Sequence, residues 1–385
     1  MFSNSKRSKI EPFLAIEMLT KANLLKSQGS DIVDLTVGEP YFSAIKEVKE
    51  DAINRLNIGK FGYTEALGLP SLRKAISNHY QNFYNVKISY ERIGVTVGAS
   101  GAFFLSALTS FDPGDRVLMS TPYYPGYVNI LKSLGVDIVF KEGKKDSYFQ
   151  PTFQDIKSSL DNVKGVIVAS PANPTGSIIP RREMEQLAKL CKLKNIILIV
   201  DEIYHGITYE EKSPDTVFNY NEDAIIINSF SKYFAMTGWR LGWVVLPERF
   251  IQPFQNLAMN FFLSPSSLSQ FSALRAFTNY AALNGYVKKY KINRDYLLDN
   301  FPKIGLNKFA PPQGAFYLYV DVSEYTSNSI SFVQEMLVEA NVACVSGIDF
   351  DAQNGRDYVR FSYACKYEDI LKAVERINQW FKRKY

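Results

Sequence analysis

Short apolar runs alternate with amphipathic segments along most of the chain. Runs of four to seven Val, Ile and Leu residues are typical of strands covered on both faces, and apolar residues at a spacing of three to four predict helices. The predicted strands are 31–37, 93–97, 116–119, 136–140, 165–169, 196–200, 224–228, 241–246, 342–345 and 358–362, with one more after 311–317. The predicted helices are 13–29, 45–58, one beginning at 71, 98–111, 153–160, 181–194, 247–300 with a break at 264–266, 329–340 and 367–382.

This alternation of strand and helix predicts an α/β protein with a mainly parallel sheet. At 385 residues the chain is long enough for one large and one smaller domain, each with its own core. Parallel sheets bind ligands beyond the carboxyl ends of their strands, so polar residues at those ends are the candidates for chemistry.

Composition and charge exclude several classes of protein. Hydrophobic residues make up 46% and charged residues 22%, as in ordinary globular proteins. The net charge of +5 is small and the basic residues are interleaved with acids, so a nucleic-acid partner is not expected. Met1–Ile10 is charged and no apolar run follows it, so neither a signal peptide nor a membrane span is predicted.

Cysteines and histidines limit the cofactor and the compartment. Cys191, Cys344 and Cys365 are odd in number and far apart, which favours a reducing, cytoplasmic environment. With only His79 and His205 and no C-x-x-C or H-E-x-x-H motif, we expect no metal site.

A lysine beyond a buried strand is the strongest chemical signal. Lys232 follows the apolar strand 224–228, and burial lowers the pKa of an amine so that it can form a Schiff base with an aldehyde. The hydroxyls of Ser229 and Ser231 and the guanidinium of Arg240 are placed to bind a phosphate. The phosphate-bearing aldehyde that requires a lysine is pyridoxal phosphate (PLP).

Two further strand ends fit this cofactor. Asp201 follows a strand of Ile, Leu and Val, where a carboxylate needs a partner, and a protonated pyridinium nitrogen would provide one. Tyr204 is three residues later and has a hydroxyl to offer a phenolate oxygen. Ala99 and Ser100 begin a helix after strand 93–97, and a helix start with small residues can receive an anion. Each also has a simpler explanation: Asp201 could be the acid of a turn or helix cap, Tyr204 could pack in the core, and Ala99 could begin an ordinary helix.

The segment Ser229–Trp243 resembles the cofactor-lysine signature of class I/II aminotransferases, S-F-S-K-x-x-x-M-T-G-W-R-x-G. Other family motifs follow in the family's order: a G-x-P loop at Gly38, Y-x-x-x-x-G-x-P-x-L-R-x-A beginning at Tyr63, N-P-T-G beginning at Asn173, and R-x-S beginning at Arg360. The resemblance therefore extends over nearly the whole chain.

The resemblance implies a role for each of these residues. Gly38 would lie beside the substrate, and Tyr63 would reach the cofactor phosphate of the neighbouring subunit. Asn173 would hydrogen-bond the cofactor's phenolic oxygen and contact substrate, and Arg360 would pair with the substrate α-carboxylate. In the loop after strand 116–119, alignment with the family selects Tyr124 as the residue that stacks on the pyridine ring.

The same resemblance implies PLP fold type I. A large PLP-binding domain, residues 46–280, would contain a mainly parallel seven-stranded sheet, and residues 1–45 with 281–385 would form a smaller α+β domain. The implied assembly is a homodimer, and the implied activity moves an amino group from an L-amino acid to a 2-oxo acid. Lys232, Asp201 and Tyr204 would be catalytic, and aspartate or an aromatic amino acid is the expected donor, with alanine and branched-chain amino acids left open. The alternatives are a C–S β-lyase or aminocyclopropane-type synthase, and a non-catalytic PLP-sensing or PLP-binding protein.

Overall fold

The computed structural model describes residues 3–210 and 215–385. In these ranges the strands are β1 (Val33–Asp34), β2 (Ile93–Thr96), β3 (Arg116–Thr121), β4 (Asp137–Glu142), β5 (Gly165–Ala169), β6 (Ile197–Asp201), β7 (Ile225–Ser229), β8 (Gly242–Val245), β9 (Tyr317–Asp321), β10 (Val342–Ala343), β11 (Val345–Ser346) and β12 (Tyr358–Ser362). The helices are α1 (Leu14–Ser27), α2 (Lys46–Ile58), α3 (Pro70–Tyr84), α4 (Gly98–Ser110), α5 (Pro125–Leu134), α6 (Phe153–Lys157), α7 (Arg181–Leu193), α8 (Glu248–Phe262), α9 (Ser267–Ala273), α10 (Tyr280–Ile304), α11 (Ser329–Ala340) and α12 (Tyr367–Lys384).

Seven of the described strands form the large sheet, in the order β2-β8-β7-β6-β5-β3-β4. Strands β3 to β7 pair in parallel, whereas β8 is antiparallel to both β7 and β2. The structure therefore confirms an α/β fold with a mainly parallel seven-stranded sheet. The antiparallel strand has a local cause, because a short connection from the end of β7 turns the chain back beside the same strand.

Alternate residues of the central strands enter different cores. In β5, Val166 and Val168 belong to one apolar cluster, and Ile167 belongs to a second cluster on the other face of the sheet. Leu198 and Ile199 of β6 divide in the same way. Burial on both faces explains why these strands read as continuous apolar runs.

Two smaller sheets lie outside the large one, and the first of them joins the beginning of the chain to its end. β1 pairs in parallel with β10, and β11, β12 and β9 form an antiparallel sheet. This pairing supports a small domain made from both termini. The boundaries at residues 46 and 280 remain a prediction.

Three segments differ from the sequence-based expectation. The aromatic loop after β3 continues into α5, which begins at Pro125 and ends at Leu134, and the next residue, Gly135, has the left-handed conformation (φ 76°). Proline is favoured in the first turn of a helix, and glycine is favoured just after the last turn. Both residues therefore indicate α5, but the tyrosines between strand and helix favoured the prediction of a loop. The predicted strand 31–37 shortens to two paired residues, and 342–345 divides at Cys344 between two sheets.

A helix that crosses a bilayer needs about 20 predominantly apolar residues. None of the described helices combines the length and the apolar character that crossing a membrane requires.

Candidate active site

The candidate site is a cavity of about 230 Å³ beyond the carboxyl ends of β5 and β6. Its walls come from four regions of the chain: the N-terminal segment with α1, the starts of α4 and α5, the loops after β5 to β7, and strands β9 and β12. The lining residues are Phe13, Ala15, Ile16, Val37, Gly38, Ala99, Ser100, Phe103, Tyr124, Gly126, Tyr127, Ile130, Ala169, Asn173, Asp201, Ile203, Tyr204, Ser231, Lys232, Thr237, Arg240, Tyr317 and Arg360.

Lys232 projects into this cavity from the turn after β7. Phe230, two residues earlier, is fully buried and anchors the turn in the core. The Lys232 Nζ donates a hydrogen bond of 2.6 Å to the carbonyl oxygen of Gly38. Desolvation lowers the pKa of the amine to about 8, although the nearby Glu39 carboxylate opposes this shift. About a tenth of the amine is therefore unprotonated and nucleophilic at pH 7, far more than for a lysine with an unshifted pKa.

Asp201 is the last residue of β6, and both of its carboxylate oxygens are held in place. Oδ1 accepts a 2.9 Å hydrogen bond from the backbone N–H of Ile203, and Oδ2 accepts one from the Tyr127 hydroxyl. Burial nevertheless raises the pKa of Asp201 to about 6. A cationic ring nitrogen in the cavity would keep this carboxylate ionised, since an opposite charge offsets the cost of desolvation.

Arg360 is the buried cation of the site, with only 2% of its surface exposed. Its guanidinium donates to Asn173 Oδ1 (2.8 Å) and to the carbonyl oxygen of Thr36, and Nε has no hydrogen-bond partner among the described residues. The neighbouring Asp349 carboxylate accepts instead from the backbone N–H groups of Leu14 and Ala15, at 3.0 Å each. A buried guanidinium bonded to neutral oxygens favours an anionic ligand, because burial of a charge is costly unless it is paired.

The side chain of Asn173 connects this cation to the rest of the cavity. Its Oδ1 accepts from Arg360, so Nδ2 is the donor that the amide can offer to a ligand. Tyr204 offers a hydroxyl, which lies 2.7 Å from the hydroxyl of Tyr317. Hydrogen-bond donors from two different loops therefore converge on the cavity.

A phosphate-sized anion would find its partners at the start of α4. Ala99 and Ser100 lie in the first turn of this helix, and Ser231 and Arg240 line the same cavity. Gly98 has φ +69°, and a Cβ atom there would lie 2.7 Å from Arg240 Nη2. This position thus needs glycine for two reasons, the left-handed backbone and the guanidinium that lies against it.

The structure shows how three of the predicted site residues lie relative to the cavity. Tyr124 faces the cavity, whereas Tyr123 stacks on Phe140 with ring centroids 5.1 Å apart. Ser229 lies behind Ser231, with their Oγ atoms 2.9 Å apart, so its contact with the cavity is indirect. Tyr63 lies outside the cavity with 82% of its surface exposed.

Sequence reasoning missed Tyr127, Tyr317 and the apolar residues of the N-terminal segment. Tyr127 is one helical turn after Tyr124, a signal that only a prediction of α5 would have revealed. Tyr317 begins β9 and lies against Arg360 of the neighbouring strand β12. Such a contact between distant parts of the chain leaves no local pattern in the sequence.

The donor set fits a phosphate-bearing aldehyde of the PLP type. An amine of lowered pKa, a buried carboxylate, two donors for a phenolic oxygen, and a helix start with an arginine surround one cavity. Within residues 3–210 and 215–385, no group of three or more His, Cys, Asp or Glu residues is arranged to hold a metal ion.

Comparison with known proteins identifies relatives over the full length of the chain. Residues 30–377 match the family model "Aminotransferase class I and II". The chain is 40% identical to a valine–pyruvate aminotransferase of Mycobacterium tuberculosis, with 97% of each protein covered, and 34% identical to an aspartate/prephenate aminotransferase of Thermus thermophilus, with 95% of each covered. A crystal structure of an aminotransferase from Mycobacterium tuberculosis superposes with a TM-score of 0.97 at 39% identity, covering all of both chains.

Proposed function

The chain belongs to the class I and II aminotransferase family, and we propose that it transfers the amino group of an apolar L-amino acid to a 2-oxo acid with PLP as cofactor. The observation that carries this proposal is Lys232, whose amine has a lowered pKa and lies in one cavity with Asp201 and Arg360. When bound, PLP supplies an electrophilic aldehyde carbon and an electron-withdrawing ring.

Each of these residues has a separate task in the proposed mechanism. Arg360 binds the α-carboxylate of the amino acid, and Asp201 keeps the ring nitrogen of the cofactor protonated. Lys232 Nζ would remove the proton from the substrate Cα and would return it to the aldehyde carbon of the cofactor, the carbon that takes up the amino group. An amine with a pKa of about 8 suits both tasks, because it gives up and accepts a proton near neutral pH.

The remaining residues orient and bind. Asn173 Nδ2 and the Tyr204 hydroxyl would offer hydrogen bonds to the phenolic oxygen, and the ring of Tyr124 would provide a stacking surface for the pyridine ring. The cofactor phosphate is bound by the start of α4 at Ala99 and Ser100, by the Ser231 hydroxyl, which Ser229 supports, and by Arg240. Gly38 contributes its backbone to the substrate side of the cavity.

The cavity lining favours an apolar amino acid as the amino donor, among the donors that the sequence left open. Phe13, Ile16, Val37 and Ile130 line the cavity, and Lys232, Arg240 and Arg360 are its cations among the described residues. All three cations of this chain already have tasks, so a dicarboxylate donor would need a further cation for its distal carboxylate, and in a shared site that cation would come from the partner subunit. The relatives named for valine–pyruvate and for aspartate/prephenate differ on this point, and the lining supports the first.

Visible spectroscopy tests both the cofactor and the donor. Purified protein loaded with PLP should be yellow, and valine, leucine or phenylalanine without an acceptor should bleach it to the pyridoxamine form faster than aspartate does. Preferential bleaching by aspartate would contradict the apolar donor. Release of pyruvate and ammonia from cystathionine without a 2-oxo acid would instead indicate a C–S lyase, and colourless protein that does not take up PLP would contradict the whole proposal.

The rate of PLP uptake should depend on pH through Lys232. Only the unprotonated amine attacks an aldehyde, so the rate should rise about tenfold per pH unit below a midpoint near 8 and then level off. Absorbance after rapid mixing of the cofactor-free protein with PLP measures this rate, with Nα-acetyl-lysine as the solution reference. Glu39→Gln should move the midpoint lower, because the Glu39 carboxylate raises the Lys232 pKa. A midpoint near 10.5 would contradict a lowered pKa.

We propose a homodimer in which Tyr63 completes the partner's phosphate site. Tyr63 is 82% exposed, and exposed apolar side chains at the end of α8 lie on the surface, including Phe261, Phe262 and Leu263. Tyr63 also lines a shallow groove with residues 264–268, which continue from α8. Exposed large apolar side chains on neighbouring surface segments are typical of a protein interface.

An experiment that mixes two inactive variants tests whether Tyr63 acts in the partner's site. Lys232→Ala and Tyr63→Ala proteins are each expected to have low activity, but a mixed dimer holds one site with both native residues. Activity after reversible dissociation of an equimolar mixture should therefore approach about one quarter of the wild-type value. A Tyr63→Ala protein mixed with itself is the control. Activity no greater than the mean of the two variants, or a monomer in analytical ultracentrifugation, would contradict the proposal.

A cytoplasmic location remains a prediction. Cys191, Cys344 and Cys365 are all free thiols, which supports a reducing compartment.

A further inference from the structure

Tyr317 contacts three separate parts of the site, although no sequence motif drew attention to it. Its hydroxyl is 2.7 Å from the Tyr204 hydroxyl. Its ring lies under the guanidinium of Arg360, with Cζ 4.5 Å from the ring centroid. It also lies so close to Gly38 that a Cβ atom on that glycine would be 1.6 Å from the Tyr317 hydroxyl.

The sheet explains why one tyrosine reaches all three. Tyr317 is opposite Ser362 in the antiparallel pair of β9 and β12, so Arg360 is its diagonal neighbour on the same face. The residue is fully buried, and the proximity of Gly38 leaves its hydroxyl little room to move. Packing therefore directs the hydroxyl toward Tyr204.

The number of available protons decides the direction of this hydrogen bond. Each tyrosine hydroxyl carries one proton, and in the proposed function Tyr204 uses its own to bond the phenolic oxygen of the cofactor. The Tyr204 oxygen then accepts from Tyr317, which must be the donor of the pair. Chains of hydrogen bonds in a buried site polarise one another, so donation from Tyr317 makes Tyr204 a stronger donor.

We propose that Tyr317 is a positioning residue that donates to Tyr204, directs the Tyr204 proton toward the cofactor's phenolic oxygen, and supports the substrate-binding guanidinium of Arg360 with its ring. This inference rests on the proposed function, since it concerns bound PLP. The hydroxyl and the ring of Tyr317 have different effects. The hydroxyl acts on the cofactor, and the ring acts on the substrate carboxylate site.

Tyr317→Phe separates the two parts, because it removes the hydroxyl and keeps the ring. A donor to the phenolic oxygen stabilises its negative charge, so the proton that neutralises that charge is lost at a lower pH. In Tyr317→Phe the pH at which the visible band of bound PLP changes should therefore rise by about half to one unit, the size of one hydrogen bond's net effect. We expect kcat to fall about tenfold while KM for the amino acid changes little, since the ring remains under Arg360.

The matched control is Tyr319→Phe, which removes a hydroxyl from the same strand and the same face of the sheet. Tyr319 is buried and stacks on Tyr358 with ring centroids 4.8 Å apart, outside the cavity lining. Its spectral titration should match that of the wild type. Tyr204→Phe provides the second comparison, because removal of the Tyr317 hydroxyl should add no further spectral shift in that background.

The outcomes are distinct. A Tyr317→Phe protein that titrates like the wild type, or a shift that Tyr319→Phe reproduces, overturns the inference about Tyr317 alone. Additive shifts in the Tyr204→Phe/Tyr317→Phe protein overturn the route through Tyr204. A wild-type protein that does not take up PLP overturns the proposed function and this inference together.

Discussion

Lys232→Ala should lower kcat for transamination by about 10⁴-fold or more. The variant loses the amine that attacks the cofactor aldehyde and the base that removes the α-proton, and neither water nor another described lysine of the cavity replaces them. The fold should remain intact, because Phe230 and the other apolar residues of this turn hold it in the core independently of the amine. Coupled assays of amino-group transfer with saturating donor and acceptor measure the loss.

Two comparisons assign this loss to chemistry. Lys303→Ala removes an exposed lysine of α10 that bonds Asn300, and should keep wild-type activity. Lys232→Arg keeps a cation in the cavity but offers no amine of comparable nucleophilicity, so it should be almost as inactive as Lys232→Ala. Retention of full turnover by Lys232→Ala would refute the mechanism at its first step.

Arg360→Lys should lower kcat/KM for the amino acid by roughly 10²- to 10³-fold, equivalent to about 3–4 kcal/mol. The lysine keeps the positive charge but cannot form the two parallel hydrogen bonds of a guanidinium with a carboxylate, and it no longer reaches Asn173 and Thr36 together. Most of the loss should be in KM, because the reacting groups on the cofactor side are unchanged.

The cofactor spectrum separates this effect from general damage. PLP bound to Arg360→Lys should be as yellow as in the wild type, because Lys232 and Asp201 are intact. Arg356→Lys, at an exposed position four residues earlier, is the matched control and should have no effect on kcat/KM. An unchanged kcat/KM in Arg360→Lys would show that the carboxylate binds elsewhere.

Much of the candidate site could be predicted from short stretches of the sequence. A buried strand followed by a polar residue is a pattern within a few positions, and it made Asp201, Tyr204, Lys232 and the start of α4 candidates, although plainer alternatives stayed open for all but the lysine. Short motifs of a recognised family then selected Asn173 and Arg360, whose surroundings look unremarkable in isolation.

Residues joined by distant contacts were not accessible in this way. Tyr127 reaches Asp201 across 74 positions, and Tyr317 reaches Tyr204 across 113. The N-terminal residues Phe13 and Ile16 line the same cavity because Asp349, more than 330 positions away, caps the start of α1. The apolar part of the cavity lining depends on these residues and is therefore a property of the folded chain.

The sequence by itself determined the α/β class, the family and most of the residues proposed to carry the chemistry, because each of these depends on apolar periodicity or on motifs of a few adjacent positions. Only the tertiary structure decided the pKa of Lys232, the neutral partners of Arg360 and the contacts of Tyr317. The physical reason is that desolvation, charge and hydrogen bonding depend on distances in space, and folding brings together residues that lie hundreds of positions apart in the chain.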